Sequence, residues 1–221
     1  KGALIRDKAT LDRIRAIVIP PAWEKVWIAP NKRGHIQATG RDARGRKQYR
    51  YHADWTAHRE QSKYALLPEF AAALPKLRSV VAEHLQHRSV SRERVLAVVV
   101  TLLQQTLIRI GNATYARDNE SYGLTTLTEE HVEIDGGWLR FSFRGKSGKE
   151  WRVAVADRRI VNVVRKCQEL PGQTLFRYIC ETGEPRDVAS SDVNDYLREI
   201  TGFEFTAKTF RTWASTVMAA R

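Results

Sequence analysis

The stretch SRERVLAVVVTLLQQTLIRIG, residues 91–111, decides the architecture. Ser91 carries the kind of hydroxyl that caps a helix N-terminus, and Gly111 is the residue type that most readily ends one. Between them apolar side chains cover most of the helical circumference, more than a single amphipathic stripe needs. The segment therefore reads as a helix passing through the core of a domain. Upstream, residues 62–74 and 75–85 carry apolar side chains at three- and four-residue spacing and read as two more helices. Downstream the period changes. Residues 131–134 (HVEI), 138–143 (WLRFSF) and 150–155 (EWRVAV) alternate apolar with polar, and the turns DGG and RGKSGK separate them. This is the pattern of a three-stranded antiparallel meander. Helical spacing returns at 158–170, 191–200 and 207–220, so residues 61–221 are expected to form a mainly helical domain holding one small sheet.

The first 60 residues read differently. A short helix at 7–16 precedes strand candidates at 26–28, 34–39 and 48–51, with the turn PNKRG at 30–34. The expectation is a β-rich N-terminal domain over 1–60, and an α+β chain as a whole. With 221 residues, 43% of them hydrophobic and 28% charged, the chain can bury a core. Cys167 and Cys180 are too few for a disulfide framework or a four-cysteine zinc site, and the six histidines show no zinc-ligand spacing. No metal is expected. No apolar run approaches the length of a membrane span and the first residues lack a signal-peptide core, so the expected location is the cytoplasm.

Charge points to a partner. Lys and Arg number 37 against 25 Asp and Glu, a formal net charge of +12, and 26 of the basic residues are Arg. Residues 1–60 hold 14 basic and 6 acidic side chains, while the remaining residues hold 23 and 19. Most of the surplus falls in KRGHIQATGRDARGRKQYR, residues 32–50, where seven basic residues accompany one acid, Asp42. Gln37, Thr39, Gln48, Tyr49 and Tyr51 are interleaved with them or stand just beyond. Cations that neutralise phosphates beside amides and rings that reach bases or sugars suit a nucleic acid. The plainer alternative is a solvated Arg-rich hairpin with no partner.

Three cations stand out elsewhere. Arg109 is read at the end of the long apolar helix, where a buried guanidinium needs an anion: a structural carboxylate such as Asp118 or Glu120, or the phosphate of a ligand. Lys146 sits at the tip of the second hairpin, in RGKSGK. That string is not a phosphate-binding P-loop, since G-x-x-x-x-G-K-[ST] is absent. Such a lysine could donate a proton to a bound strand or could simply be solvated. Arg211 lies near the start of the last helix, where amide dipoles favour an anion.

Long strings of the sequence then match a known family. IPPAWEKVWIAPNKRGHIQATGRDARGRKQYRYHADW (19–55), TLLQQTLIRIGNATYARDNESYGLTTLTEEHV (101–132), FRGKSGKEW (143–151), LPGQTLFRY (170–178) and FTAKTFRTWAS (205–215) resemble type IB DNA topoisomerases of the bacterial, poxvirus-like group. The resemblance implies a monomeric two-domain clamp on duplex DNA that needs no obligatory protein partner and works at the nucleoid. It implies supercoil relaxation by transient cleavage of one strand through a 3′-phosphotyrosyl link and religation, with neither ATP nor metal. It also implies roles. Arg109 and Arg211 would bind the scissile phosphate, Lys146 would protonate the departing 5′-oxygen, and Lys208 would assist it. Arg46, Gln48, Tyr49 and Tyr51 match a DNA-contacting stretch, and Tyr115 and Asn119 match contacts near the helix end.

One departure is large. In the family the nucleophilic tyrosine lies several dozen residues beyond the position of Arg211, whereas all seven tyrosines here precede Arg211 and ten residues follow it. The expectation is a C-terminally incomplete version of a longer enzyme. Two alternatives stand beside the topoisomerase reading. A tyrosine recombinase shares the Arg/Lys/Arg chemistry but usually has H-x-x-R where this chain has Lys208-Thr209-Phe210-Arg211. A non-catalytic duplex-binding protein would need no tyrosine at all.

Overall fold

The computed structural model describes residues 4–220, apart from the side chains of residues 61–63. Two compact units divide at Leu66 and Leu67: Lys1–Leu66 and Leu67–Arg221. The junction expected at residue 60 falls inside a helix, which carries the first unit six residues further.

In the first unit, α1 (Lys8–Ala16) begins where the Asp7 carboxylate accepts from the Thr10 backbone N–H at 2.8 Å. Strands β1 (Glu24–Ile28), β2 (Ile36–Arg41) and β3 (Lys47–Tyr51) form an antiparallel sheet in that order, and α2 (Ala53–Ala65) closes the unit. Gln37, read from the sequence among residues that could reach a base, is buried and structural. Its amide donates to the carbonyls of Asn31, Lys32 and Gly34, and its oxygen accepts from Arg13 at 3.1 Å. Those bonds satisfy a buried amide and fold the 30–34 turn at once.

The second unit is built around α4 (Arg92–Thr106), whose first turn is capped by the Ser91 hydroxyl. Val95 to Val100, Leu102 and Leu103 are all buried, as the all-round apolar pattern required. Helix α3 (Leu67–His84) packs along it and differs from expectation. Pro75 lies inside this helix and does not start a new one. A proline removes one backbone donor and crowds the preceding turn. Phe70, Leu74, Leu77 and Val81 are buried on both sides of it, and that continuous apolar face holds the helix together.

The meander forms as read: β4 (Val132–Asp135), β5 (Trp138–Arg144) and β6 (Glu150–Ala156), antiparallel, with Leu139, Phe141 and Phe143 turned to the core. Then come α6 (Arg158–Gln168), α7 (Ser190–Thr201) and α8 (Ala207–Ala219). Not read from the sequence were α2, α5 (Ala113–Asn119), and the ribbon of β7 (Arg177–Ile179) with β8 (Pro185–Asp187). Among the described residues no helix is long and apolar enough to cross a membrane.

Candidate active site

The end of α4 corrects the expected position of Arg109. The helix stops at Thr106, and Leu107 takes a left-handed conformation (φ 57°), so the chain leaves the helix before Gly111. Residues 108–111 run as an extended strap alongside residues 123–125. The Arg109 carbonyl accepts from Leu124 N–H at 2.9 Å, and the Ile110 carbonyl accepts from Thr125 N–H at 2.7 Å and from the Thr125 hydroxyl at 2.9 Å. The strap fits because residue 123 is glycine. A Cβ there would stand 2.5 Å from both the Arg109 carbonyl oxygen and the Gly111 nitrogen. The Arg109 backbone is thus fixed while its side chain is exposed to solvent. Its cost is not burial, as the helical reading had it.

Neither proposed carboxylate takes Arg109. Asp118 pairs with Arg117 at 3.0 Å, and Glu120 pairs with Arg144 at 3.6 Å. Among the described residues no acid forms an ion pair with Arg109 or Arg211.

Arg211 is brought in by α8. The N-terminus of that helix is tied down by the Asn194 side chain, which accepts from Ala207 N–H at 3.1 Å. The helix is seated by Phe210, edge-on to Phe70 at 5.0 Å, with Trp213 also against Phe70. The neighbouring Arg211 is half-buried and its Nε has no hydrogen-bond partner. Burial lowers its pKa first, and the positive charge of Arg109 lowers it further. Arg211 stays protonated near neutrality, since a guanidinium starts far above it. The charge of Arg109 is thus felt at Arg211, and among the described residues neither guanidinium is paired with a carboxylate.

Lys146 stands at the tip of the β5–β6 hairpin, which its own backbone bonds hold closed. Gly145 N–H donates to Lys149 at 2.8 Å, Gly148 N–H donates back to Gly145 at 3.1 Å, and Ser147 adopts φ 65°. Gly145 lies flat on an indole, where a Cβ would meet Trp151 Cδ1 at 2.6 Å. Tyr122 N–H donates to the Arg144 carbonyl at 2.9 Å and the Ser121 hydroxyl to the Gly145 carbonyl at 3.4 Å. The hairpin tip and the Arg109 strap are therefore fastened to one continuous segment, residues 121–125. Lys146 is exposed and pairs with no acid among the described residues, and Lys208 is exposed on α8 three residues before Arg211. Tyr115 and Asn119 lie exposed on α5, the next element after the strap.

The residues expected to contact DNA in the first unit fall into two groups. Arg46 and Gln48 are both engaged by Asp42, at 2.7 and 2.9 Å. The Arg46 guanidinium holds the Asp42 carboxyl down to about 2. Tyr49 and Tyr51 are exposed and stack on each other at 6.1 Å with 16° between planes. The sequence reading missed Trp27, His35 and Lys47 around them. The alternation of β3 was the signal that could have found that face.

Comparison with known proteins decides the family. Residues 51–221 match the family model described as the catalytic core of eukaryotic DNA topoisomerase I, and residues 1–42 match that of the N-terminal domain of bacterial DNA topoisomerase IB. The chain belongs to the type IB DNA topoisomerases. It is 33% identical over 209 residues to DNA topoisomerase 1B of Acanthamoeba polyphaga mimivirus, covering 93% of this chain and 62% of that protein. It is 26% identical over 107 residues to DNA topoisomerase 1B of Vaccinia virus (strain Copenhagen), covering 48% of this chain and 34% of that one. This type IB chain thus spans under two thirds of the length of either relative. Among solved structures, a XerH site-specific recombinase bound to difH substrate superposes with a TM-score of 0.43 at 13% identity, covering 68% of this chain and 42% of that one. A superposition that loose carries no inference.

Proposed function

We propose that this chain is the part of a type IB DNA topoisomerase that engages duplex DNA with both units and presents Arg109, Arg211 and Lys146 to one backbone phosphodiester. The observation that carries the proposal is that Arg109 stands exposed on a fastened backbone strap and Arg211 is half-buried with an unpartnered Nε, while among the described residues neither pairs with an acid. A tetrahedral phosphate brings one negative charge to the pair. The pentacoordinate transition state of in-line attack brings more charge onto the non-bridging oxygens, so the arginines hold it more tightly than the ground state.

In the reaction, a tyrosine oxygen releases its proton to solvent and forms a bond to phosphorus as the bond to the 5′-oxygen breaks. Lys146 gives its proton to that leaving oxygen, with Lys208 on the α8 side assisting. Religation runs the same steps backwards, the 5′-hydroxyl displacing the tyrosine and returning its proton. The phosphodiester energy is retained in the covalent link, so relaxation needs no nucleotide. Among the described residues no tyrosine hydrogen-bonds Arg109 or Arg211, and the nucleophile is assigned to none of the seven. Exposed Tyr115 and Asn119 would contact the strand beside the phosphate. The site of action is the cytoplasmic nucleoid, and the active species is a monomer.

Relaxation of supercoiled plasmid by the full-length protein tests this reading. Arg211→Ala should slow relaxation by roughly a hundredfold or more, the cost typical of removing one transition-state charge donor. Affinity for a short duplex should stay within about twofold, because many other phosphate contacts remain. Normal relaxation by the variant would overturn the assignment.

A further inference from the structure

The first unit exposes more aromatic surface than a phosphate-tracking sheet needs. Trp27, Tyr49 and Tyr51 are 52%, 42% and 49% exposed. Pairing register puts them on one face: Trp27 lies opposite Thr39, Thr39 opposite Tyr49, and Tyr51 opposite Ile36. The threonine between the two rings is small, so the face is concave there. The hollow measures about 620 Å³ and is bordered by Trp27, Pro30, His35, Thr39, Lys47 and Tyr49. No carboxylate lines it. The Lys47 ammonium lies 5.5 Å from the Tyr49 ring centre, and Arg41 is opposite Lys47 in the register, itself facing Glu24 across the other strand. His35 is backed by Trp55 at 5.2 Å, which steadies its ring at the rim.

The geometry of these groups distinguishes between forms of nucleic acid. In a duplex the flat faces of the bases are hidden by stacking, and a protein meets only their edges in the grooves. Rings that lie open on a sheet, separated by a small residue and flanked by cations, match the flat faces of bases that have left the stack. The surrounding charge suits the same ligand, since residues 1–60 hold 14 basic and 6 acidic side chains.

We propose that the Trp27–Thr39–Tyr49–Tyr51 face of the β1–β3 sheet is a stacking platform for unpaired nucleotides of DNA. Trp27 and Tyr49 take up bases in the hollow, and Lys47 and Arg41 meet the adjoining phosphates. The inference rests on the DNA-binding role proposed above and adds to it: beside duplex, this unit would hold strand separations or extrahelical bases, which torsionally stressed DNA supplies.

The test is fluorescence anisotropy of the whole chain with a labelled oligothymidylate of about twelve nucleotides and, in parallel, a duplex of the same length. Trp27→Ala should weaken oligothymidylate binding about tenfold, the loss of one base–aromatic stack. Duplex affinity should change by less than about twofold. Trp27→Phe, which retains a flat ring, should restore most of the single-strand affinity, so general damage to the fold is excluded by the same series. An equal loss on both ligands, no loss on oligothymidylate, or no binding of oligothymidylate by the unaltered chain would each overturn the platform. In the last case retained duplex binding would leave the topoisomerase reading standing, and absent duplex binding would remove that reading as well.

Discussion

The two units place their aromatic residues in opposite ways. In the second, Phe70 is fully buried and gathers Phe205, Phe210 and Trp213 around it at ring distances of 5.0–6.2 Å. In the first, the buried apolar side chains among the described residues are Ala29 and Ala38, while Trp27, Tyr49 and Tyr51 remain open. Buried rings hold a fold together through area removed from water, and open rings wait for another surface. The second unit uses its apolar groups to seat the helix that carries Arg211. The first ties its sheet with polar bonds, chiefly those of Gln37, and leaves its rings available.

Substitution can break that contrast. The largest effect is expected from Phe70→Ala, which removes the ring that seats α8 and should cost about 3–5 kcal/mol of stability in urea unfolding. Because α8 carries Arg211, relaxation by the full-length protein should fall with it. A cost below about 1 kcal/mol would mean that the ring cluster does not hold the helix.

Next comes Gly123→Ala. Its new Cβ meets backbone and not a flexible side chain, so the Arg109 strap must shift, at roughly 1–3 kcal/mol by analogy with overpacking. Relaxation should drop more than stability alone explains, and unchanged activity would show that the strap does not set Arg109.

Tyr51→Ala in the first unit should change stability by less than about 0.5 kcal/mol, the usual range for a surface side chain. A loss like that of Phe70→Ala would erase the contrast altogether.

The smallest effect concerns Asp42. Its folded pKa, about 2, lies below the ordinary value of 3.8, so its contribution to holding the 42–48 turn is present above the ordinary value and is lost as pH falls through about 2. Arg46→Ala should move the Asp42 titration, followed by NMR, back toward 3.8. No movement would show that Arg46 is not its cause.

Local pattern carried much of this fold. The meander was legible because alternation and glycine turns are properties of adjacent residues, and its strands formed within a residue or two of their expected ends. The end of α4 was not legible. Leu107, Ile108 and Ile110 continue an apolar pattern that suits a helix, yet they are used in a strap whose partners, residues 123–125, lie beyond α5. Pro75 misled in the opposite direction, since a face buried on both sides outweighed a local penalty. Among the site residues, Arg109 and Arg211 could be picked out individually, but the seating of Arg211 depends on α8 docking against Phe70. The engagement of Asp118 and Glu120 by other arginines was likewise invisible in the sequence. The hollow beside Trp27 depends on a cross-strand register that no single strand reveals.

The unpaired state of Arg109 and Arg211 has a consequence for handling the protein. A small oxyanion that settles on them would stabilise the folded chain only. Sulfate or phosphate in a buffer is then a ligand: the melting temperature should rise in phosphate over chloride at matched ionic strength, and Arg109→Ala should abolish the difference.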